Sequence, residues 1–235
     1  MNADSTRPAM SSRHASPPLG ILAVVYVILK IASVVPVSTF GSRPPFFPGL
    51  NAPTDVVVSY FTTHTDRVLL AAFLQLGTAI PFGILAASIL SRLRFLGVTA
   101  AGAHIAFFGG VAAAMDELFS GAVIATMAQP IVARDPALIQ GLHYLAVALG
   151  GPGFTMPFGI MMAGMSVIGA FFKLLPKSIV TTGLVLAIIG ELSWFSMILP
   201  SAGVLIPLCR WPGFIWLIAT AIKLPDSVAR PGGSI

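Results

Sequence analysis

The sequence predicts an all-α protein: a polytopic transmembrane bundle of six helices with both termini cytoplasmic. Three observations carry that prediction. Hydrophobic residues make up 56% and charged residues 9% of the 235, and mean hydropathy is +0.93. Soluble domains run near 25% charged, so the chain has too few polar residues to cover a water-facing surface. Six stretches are each apolar over about 20 residues, the length that crosses a hydrocarbon core of about 30 Å. The basic residues between those stretches are unequally shared between the two sides. The composition excludes a soluble globular domain, a nucleic-acid-binding module and a disordered chain.

The spans are read at about 19–40, 67–90, 96–128, 137–172, 177–199 and 201–223, which places the transmembrane domain over 19–224. Barrel strands alternate over about ten residues. These runs are continuously apolar over twenty or more, so helices satisfy the backbone. The joints Ser91–Arg94, 129–136, 173–177 and Pro200-Ser201 are short, which predicts sequential antiparallel neighbours. The connection over 41–66 is longer and holds Pro44, Pro45, Pro48 and Pro53. Thr54 and Asp55 are placed there to cap a short helix through Tyr60. Residues 1–18 are rich in Ser, Pro and Arg and read as a disordered cytoplasmic tail, with a second tail over 225–235. The first span is read as a retained anchor. Its run exceeds a signal-peptide core, Lys30 interrupts it, and no Ala-x-Ala site follows.

Orientation follows from counting. With both termini inside, Arg7, Arg13, Arg92, Arg94, Lys173, Lys177, Lys223 and Arg230 are cytoplasmic, eight in all. Arg43, Arg67 and Arg134 face outward, and Lys30 and Arg210 fall within spans, completing thirteen. The net charge of +5 is therefore a topology signal, not a nucleic-acid footprint.

Two apolar stretches exceed one crossing. The third carries Gly102, Ala106, Gly110 and Ala114 at a spacing of four, a stripe of small residues that lets helix backbones approach closely. It predicts a packing seam, to a neighbouring helix or to a second copy. The fourth holds Gly150-Gly151-Pro152-Gly153, which predicts a break. That break is either an elbow at the outer boundary or an interruption whose bare backbone binds a solute.

Charges within spans are costly unless paired. Lys30, Glu191 and Arg210 are the candidates. Glu191 lies nine residues before Pro200 and Arg210 nine after Ser201, so the two share a depth. A Glu191–Arg210 ion pair is expected, with Lys30 joining it. The cluster reads either as a site for an anion or a relayed proton, or as an ion pair that fixes helix register. Toward the outer face, Asp116, Glu117, Gln140 and His143 form a second polar set. Asp116 and Glu117 diverge by about 100° on a helix, and the spacing matches no metal motif, so no metal and no cofactor is assigned. His104 and Gln75 are read as hydrogen-bonding within the bundle. Cys209 is the single cysteine, so no intrachain disulfide forms. Nucleotide-binding, zinc-hydrolase and nucleophile-elbow motifs are absent, and no residue is assigned a catalytic role.

The stretches Pro53–Gln75, Asp135–Gly150 and Leu208–Pro225, with Arg210-Trp211-Pro212-Gly213-Phe214 the most distinctive part, resemble a family of small bacterial integral membrane proteins classed as a domain of unknown function. The resemblance implies a six-helix protein of the bacterial inner membrane and supplies no site residues. Three function classes follow. The first is a structural or accessory membrane protein, self-associating through the stripe or bound to another membrane protein. The alternative is a small transporter or channel using Lys30, Glu191 and Arg210. The third is a membrane-embedded enzyme using Asp116, Glu117 and His143. The lipid bilayer is the expected partner in each case, and nucleic acid in none.

Overall fold

The computed structural model describes residues 12–38 and 43–228, and expectations about residues 1–11, 39–42 and 229–235 lie outside it. Six helices are long and apolar enough to cross a membrane: Leu19–Val37, Thr65–Phe95, Ala101–Met127, Pro136–Phe171, Lys177–Met197 and Pro200–Lys223. In regular helix they comprise α1 (Leu19–Val34), α3 (Thr65–Phe95), α4 (Ala101–Met127), α7 (Phe154–Phe171), α8 (Lys177–Leu192) and α9 (Leu205–Lys223). Two shorter helices, α2 (Thr54–Thr63) and α5 (Pro130–Ala133), lie between spans at one end, and α6 (Pro136–Ala148) opens the fourth span ahead of α7. Consecutive spans pack side by side, and α9 returns to α1, so the six close into a ring. An even number of spans puts the two ends of the described chain, at residues 12 and 228, on one face, the terminal face; the opposite face is distal.

The second helix outruns its predicted end. The Ser91–Arg94 joint is helical because Arg and Leu are strong helix formers. The stop comes at Gly97, whose φ of +82° is the left-handed cap conformation that glycine adopts freely. Gly97 N–H donates to the Arg94 carbonyl at 3.0 Å and Val98 N–H to that of Leu93 at 3.0 Å. The short helix after Pro53 forms as expected, but neither Thr54 nor Asp55 caps it: Pro53 holds the cap position without a side-chain bond. Asp135 does cap α6, accepting from the amides of Ala137 and Leu138, each at 3.0 Å. Pro136 follows at the first helical position, where its missing N–H costs nothing.

In lipid the hydrophobic effect does not drive helices together, so close packing must. The small-residue stripe supplies it within one chain. A Cβ on Gly164 of α7 would lie 2.7 Å from the Ala106 amide nitrogen and 2.8 Å from the Gly102 carbonyl oxygen of α4. A Cβ on Gly110 would lie 2.7 Å from the Ala86 Cβ of α3, and one on Gly83 would lie 3.9 Å from that of Ala114. Gly102 and Ala106 therefore face α7, while Gly110 and Ala114 face α3. The stripe thus packs against neighbouring helices of the same chain, the first of the two readings of the seam. Inside the ring, aromatic residues from four spans stack. Tyr26 lies on Phe82 at 4.4 Å and edge-on to Phe214 at 5.6 Å, and Phe158 packs against Phe154 at 5.4 Å.

At the distal end a second apolar cluster (Val57, Phe61, Val68, Met127, Ile139 and Ala146) ties α2 and α6 onto the ends of α3 and α4. At the terminal face, Ser12–Arg13 pairs antiparallel with Ser227–Val228. His14 N–H donates to the Asp226 carbonyl at 2.9 Å, and Arg92 donates to Ser16 Oγ at 3.2 Å. Residues 12–18 thus run against the end of the last span, a segment expected to be a solvated tail.

Candidate functional site

The fourth span breaks where its glycines stand. Five residues, Leu149–Gly153, form a π-type turn between α6 and α7, and Gly151 leaves helical geometry at φ −94° and ψ −106°. Below the break, α7 has 18 residues, about 27 Å of helix, so the break sits near the distal boundary of a 30 Å core. It frees backbone carbonyls inside the bundle. Arg210 of α9 donates from its guanidinium to the freed carbonyl of Gly150.

Lys30 does not meet Glu191. Its Nζ lies 2.6 Å from Glu117 Oε2, with both side chains nearly shut off from solvent, at 4% and 1% exposure. Glu117 stands sixteen residues above Ala101 on α4, about 24 Å up the helix, and its side chain turns inward. The phenyl ring of Phe154, the first residue of α7, joins the two cations: Lys30 Nζ lies 5.9 Å and the Arg210 guanidinium 5.2 Å from its centre. A cation over an aromatic face is stabilised by the ring quadrupole, more so where water is excluded. The site is thus built from α1, α4, α7 and α9.

The expected Glu191–Arg210 pair is corrected. Among the described residues no ion pair joins them, and Lys30 pairs instead with Glu117. The depths match, but the azimuths do not. Gly190 of α8 sits where α7 and α9 meet it: a Cβ there would lie 2.8 Å from the Thr155 carbonyl oxygen and 3.0 Å from Cys209 Sγ. Glu191 is one residue on, about 100° around the helix, and turns to Gly159 of α7, where a Cβ would lie 3.2 Å from its Oε1. Arg210 is likewise one residue past Cys209 and turns to the ring interior. Glu191 Oε1 is buried without a hydrogen-bond partner.

The outer polar set also divides. Glu117 turns to Lys30. Asp116 turns toward the break, with Oδ1 3.6 Å from a Cβ built on Gly153. His143 is fully buried, packs 5.9 Å from the Phe47 ring and donates from Nε2 to the Pro48 carbonyl at 3.0 Å. Gln140 Oε1 is buried without a partner. Among the described residues no three His, Cys, Asp or Glu side chains group as metal ligands, and Asp116, Glu117 and His143 each turn to a different neighbour. His104 accepts from Arg94 at 2.9 Å near the terminal face, away from the site.

A cavity of about 300 Å³ opens beside the cations. Lys30, Ser33, Gln75, Ser120, Gly150 and Arg210 supply its polar lining, with Phe47, Ile124 and Ile206 among the apolar walls. Gln75 faces this cavity, a role its sequence position alone did not indicate. Two buried oxygens near the cations have no partner: Glu117 Oε1 and the Tyr26 hydroxyl. A cavity lined by a guanidinium, an ammonium, an amide and freed backbone suits a small polar anion that fits within it.

Comparison with family models, with curated proteins and with solved structures gives no match. The functional reading therefore rests on the geometry of the site.

Proposed function

We propose that this multi-pass membrane protein is a small transporter of monovalent organic anions, that Arg210 is its anion-binding residue, and that it works in the bacterial plasma membrane with both chain ends cytoplasmic. The observation that carries the reading is a cation without a carboxylate. Among the described residues Lys30 is paired with Glu117, while Arg210 faces the cavity and donates to a backbone carbonyl. The three charged groups sum to +1. In a medium of low dielectric, one bound monoanion brings the site to neutrality, whereas a dianion or a cation leaves a charge uncompensated. The helix break fits the same reading, because interrupted helices at a solute site are a recurrent transporter device. The small-residue stripe packs within the chain, so the charged site, not the stripe, is the feature on which this reading rests. The excess of basic residues on the terminal face supports the orientation.

Flux through reconstituted protein tests this. Proteoliposomes should take up radiolabelled pyruvate or methanesulfonate, both ionised at neutral pH, and should not take up methylammonium. Arg210→Gln removes a charge-assisted hydrogen bond to the solute, about 1.5–3 kcal/mol, so the apparent affinity should fall about 10- to 100-fold. Anion uptake that is equal in wild type and Arg210→Gln, or equal to protein-free vesicles, contradicts the proposal.

A further inference from the structure

A second cavity, of about 490 Å³, lies at the distal end of the bundle. Its lining is mostly apolar, from Leu50, Val147, Pro152, Met197, Pro200 and Ile206. Two of these, Val147 and Ile206, also line the cavity beside Arg210. The two chambers therefore share a wall of two aliphatic side chains. Ile206 packs closely on the helix break: a Cβ on Gly151, itself lining the charged chamber, would lie 3.3 Å from Ile206 Cδ1. One chamber is cationic and polar, its neighbour is mostly apolar with Asn51, Tyr144 and Ser196 in its lining, and the side chains of Val147 and Ile206 border both.

We infer that the solute is an amphipathic aliphatic monocarboxylate, held with its carboxylate at Arg210 and its acyl tail past Ile206 in the distal apolar chamber. This rests on the anion reading of Arg210 and adds the identity of the rest of the molecule. A carboxylate matches the guanidinium in charge and in planar geometry. Asn51, Tyr144 and Ser196 are the polar points of the distal lining; the rest, Leu50, Pro152, Met197 and Pro200 among them, offers an alkyl tail the larger gain on transfer from water. Ile206 is the specificity-determining residue: a tail that ends at it stays in the charged chamber, and a longer one must displace it.

The experiment is a chain-length series. Binding of acetate, propionate, butyrate and hexanoate to the protein in phosphatidylcholine nanodiscs is measured by titration calorimetry, with empty nanodiscs subtracted for partition into lipid. Once the chain passes Ile206, each added methylene should tighten binding about fourfold. Gly203 lines the distal chamber, and a Cβ there meets nothing within 4 Å, so Gly203→Trp fills the chamber without a clash at its base. That variant should keep the wild-type melting temperature and the wild-type affinity for acetate, and should lose the gain with chain length. Equal affinities across the series in wild type, with all of them weakened by Arg210→Gln, overturn the tail site and leave the anion site standing. A gain with length that survives in Gly203→Trp also overturns it. No binding of any acid overturns the anion reading itself. If phosphatidylglycerol nanodiscs abolish hexanoate binding, the tail chamber belongs to an anionic lipid and the free-acid inference is wrong.

Discussion

Glu117→Ala is expected to destabilise the protein by about 3–5 kcal/mol, because it leaves the Lys30 ammonium buried without its counter-charge. The pair spans 2.6 Å, and neither side chain has access to solvent that would repay the loss. Phe154 partly compensates through its ring face, but a cation over an aromatic ring is worth only about 2 kcal/mol even when desolvated. Lys30→Met combined with Glu117→Leu should recover most of the stability, since an apolar pair of similar volume removes both desolvation costs. Reversible unfolding in mixed micelles reads both variants. By the same geometry Glu191→Gln should leave Lys30 and Arg210 undisturbed and change stability by less than about 1 kcal/mol. If Glu117→Ala unfolds like wild type while Glu191→Gln is crippled, the charge assignment is wrong.

Gly164→Leu is expected to cost at least about 3 kcal/mol, as overpacking against backbone does. A Cβ at that position meets the Ala106 nitrogen at 2.7 Å and the Gly102 oxygen at 2.8 Å. Neither atom can rotate away, so α7 must move off α4 along the whole seam. The same displacement shifts Phe154, at the top of α7, away from Lys30 and Arg210, and solute binding should weaken with the fold. Gly141→Leu is the control. That glycine is on the open side of α6, where a Cβ meets nothing within 4 Å, and the change should stay within about 0.5 kcal/mol. Thermal melting of the two variants side by side separates a seam effect from a general intolerance of leucine. Equal melting would mean that the stripe does not pack as described.

The six spans were legible because hydropathy over twenty residues is a strong and local signal, whereas the return of α9 to α1 that closes the ring was not. The helix stop at Gly97, by contrast, was hidden behind two arginines that look like a polar joint. Arginine is a good helix former and tolerates a helix end at a membrane surface. The charge site was half legible. Lys30 and Arg210 stood out as ionisable residues at depth, and the glycine run announced the break that Arg210 uses. The error lay in matching Glu191 to Arg210 by depth alone. Depth is read from residue counts, but azimuth needs a reference, and a single residue of offset turns a side chain by about 100°. The carboxylate that Lys30 meets was assigned to the outer set because its helix is longer than one crossing. Phe154 carried no signal: it is one of sixteen phenylalanines, distinguished only by following the break directly. His143 read as part of the outer polar set because only the folded chain brings the Pro48 carbonyl to it.

Titration calorimetry on the protein in nanodiscs, comparing a monoanion with a dianion of similar size, tests the central claim most directly. Pyruvate should bind once per chain, malonate should bind at least about tenfold more weakly, and Arg210→Gln should reduce pyruvate affinity about 10- to 100-fold. Pyruvate binding that is unchanged in Arg210→Gln, or malonate binding as tightly as pyruvate, would contradict a site whose net charge of +1 selects a single negative charge at Arg210.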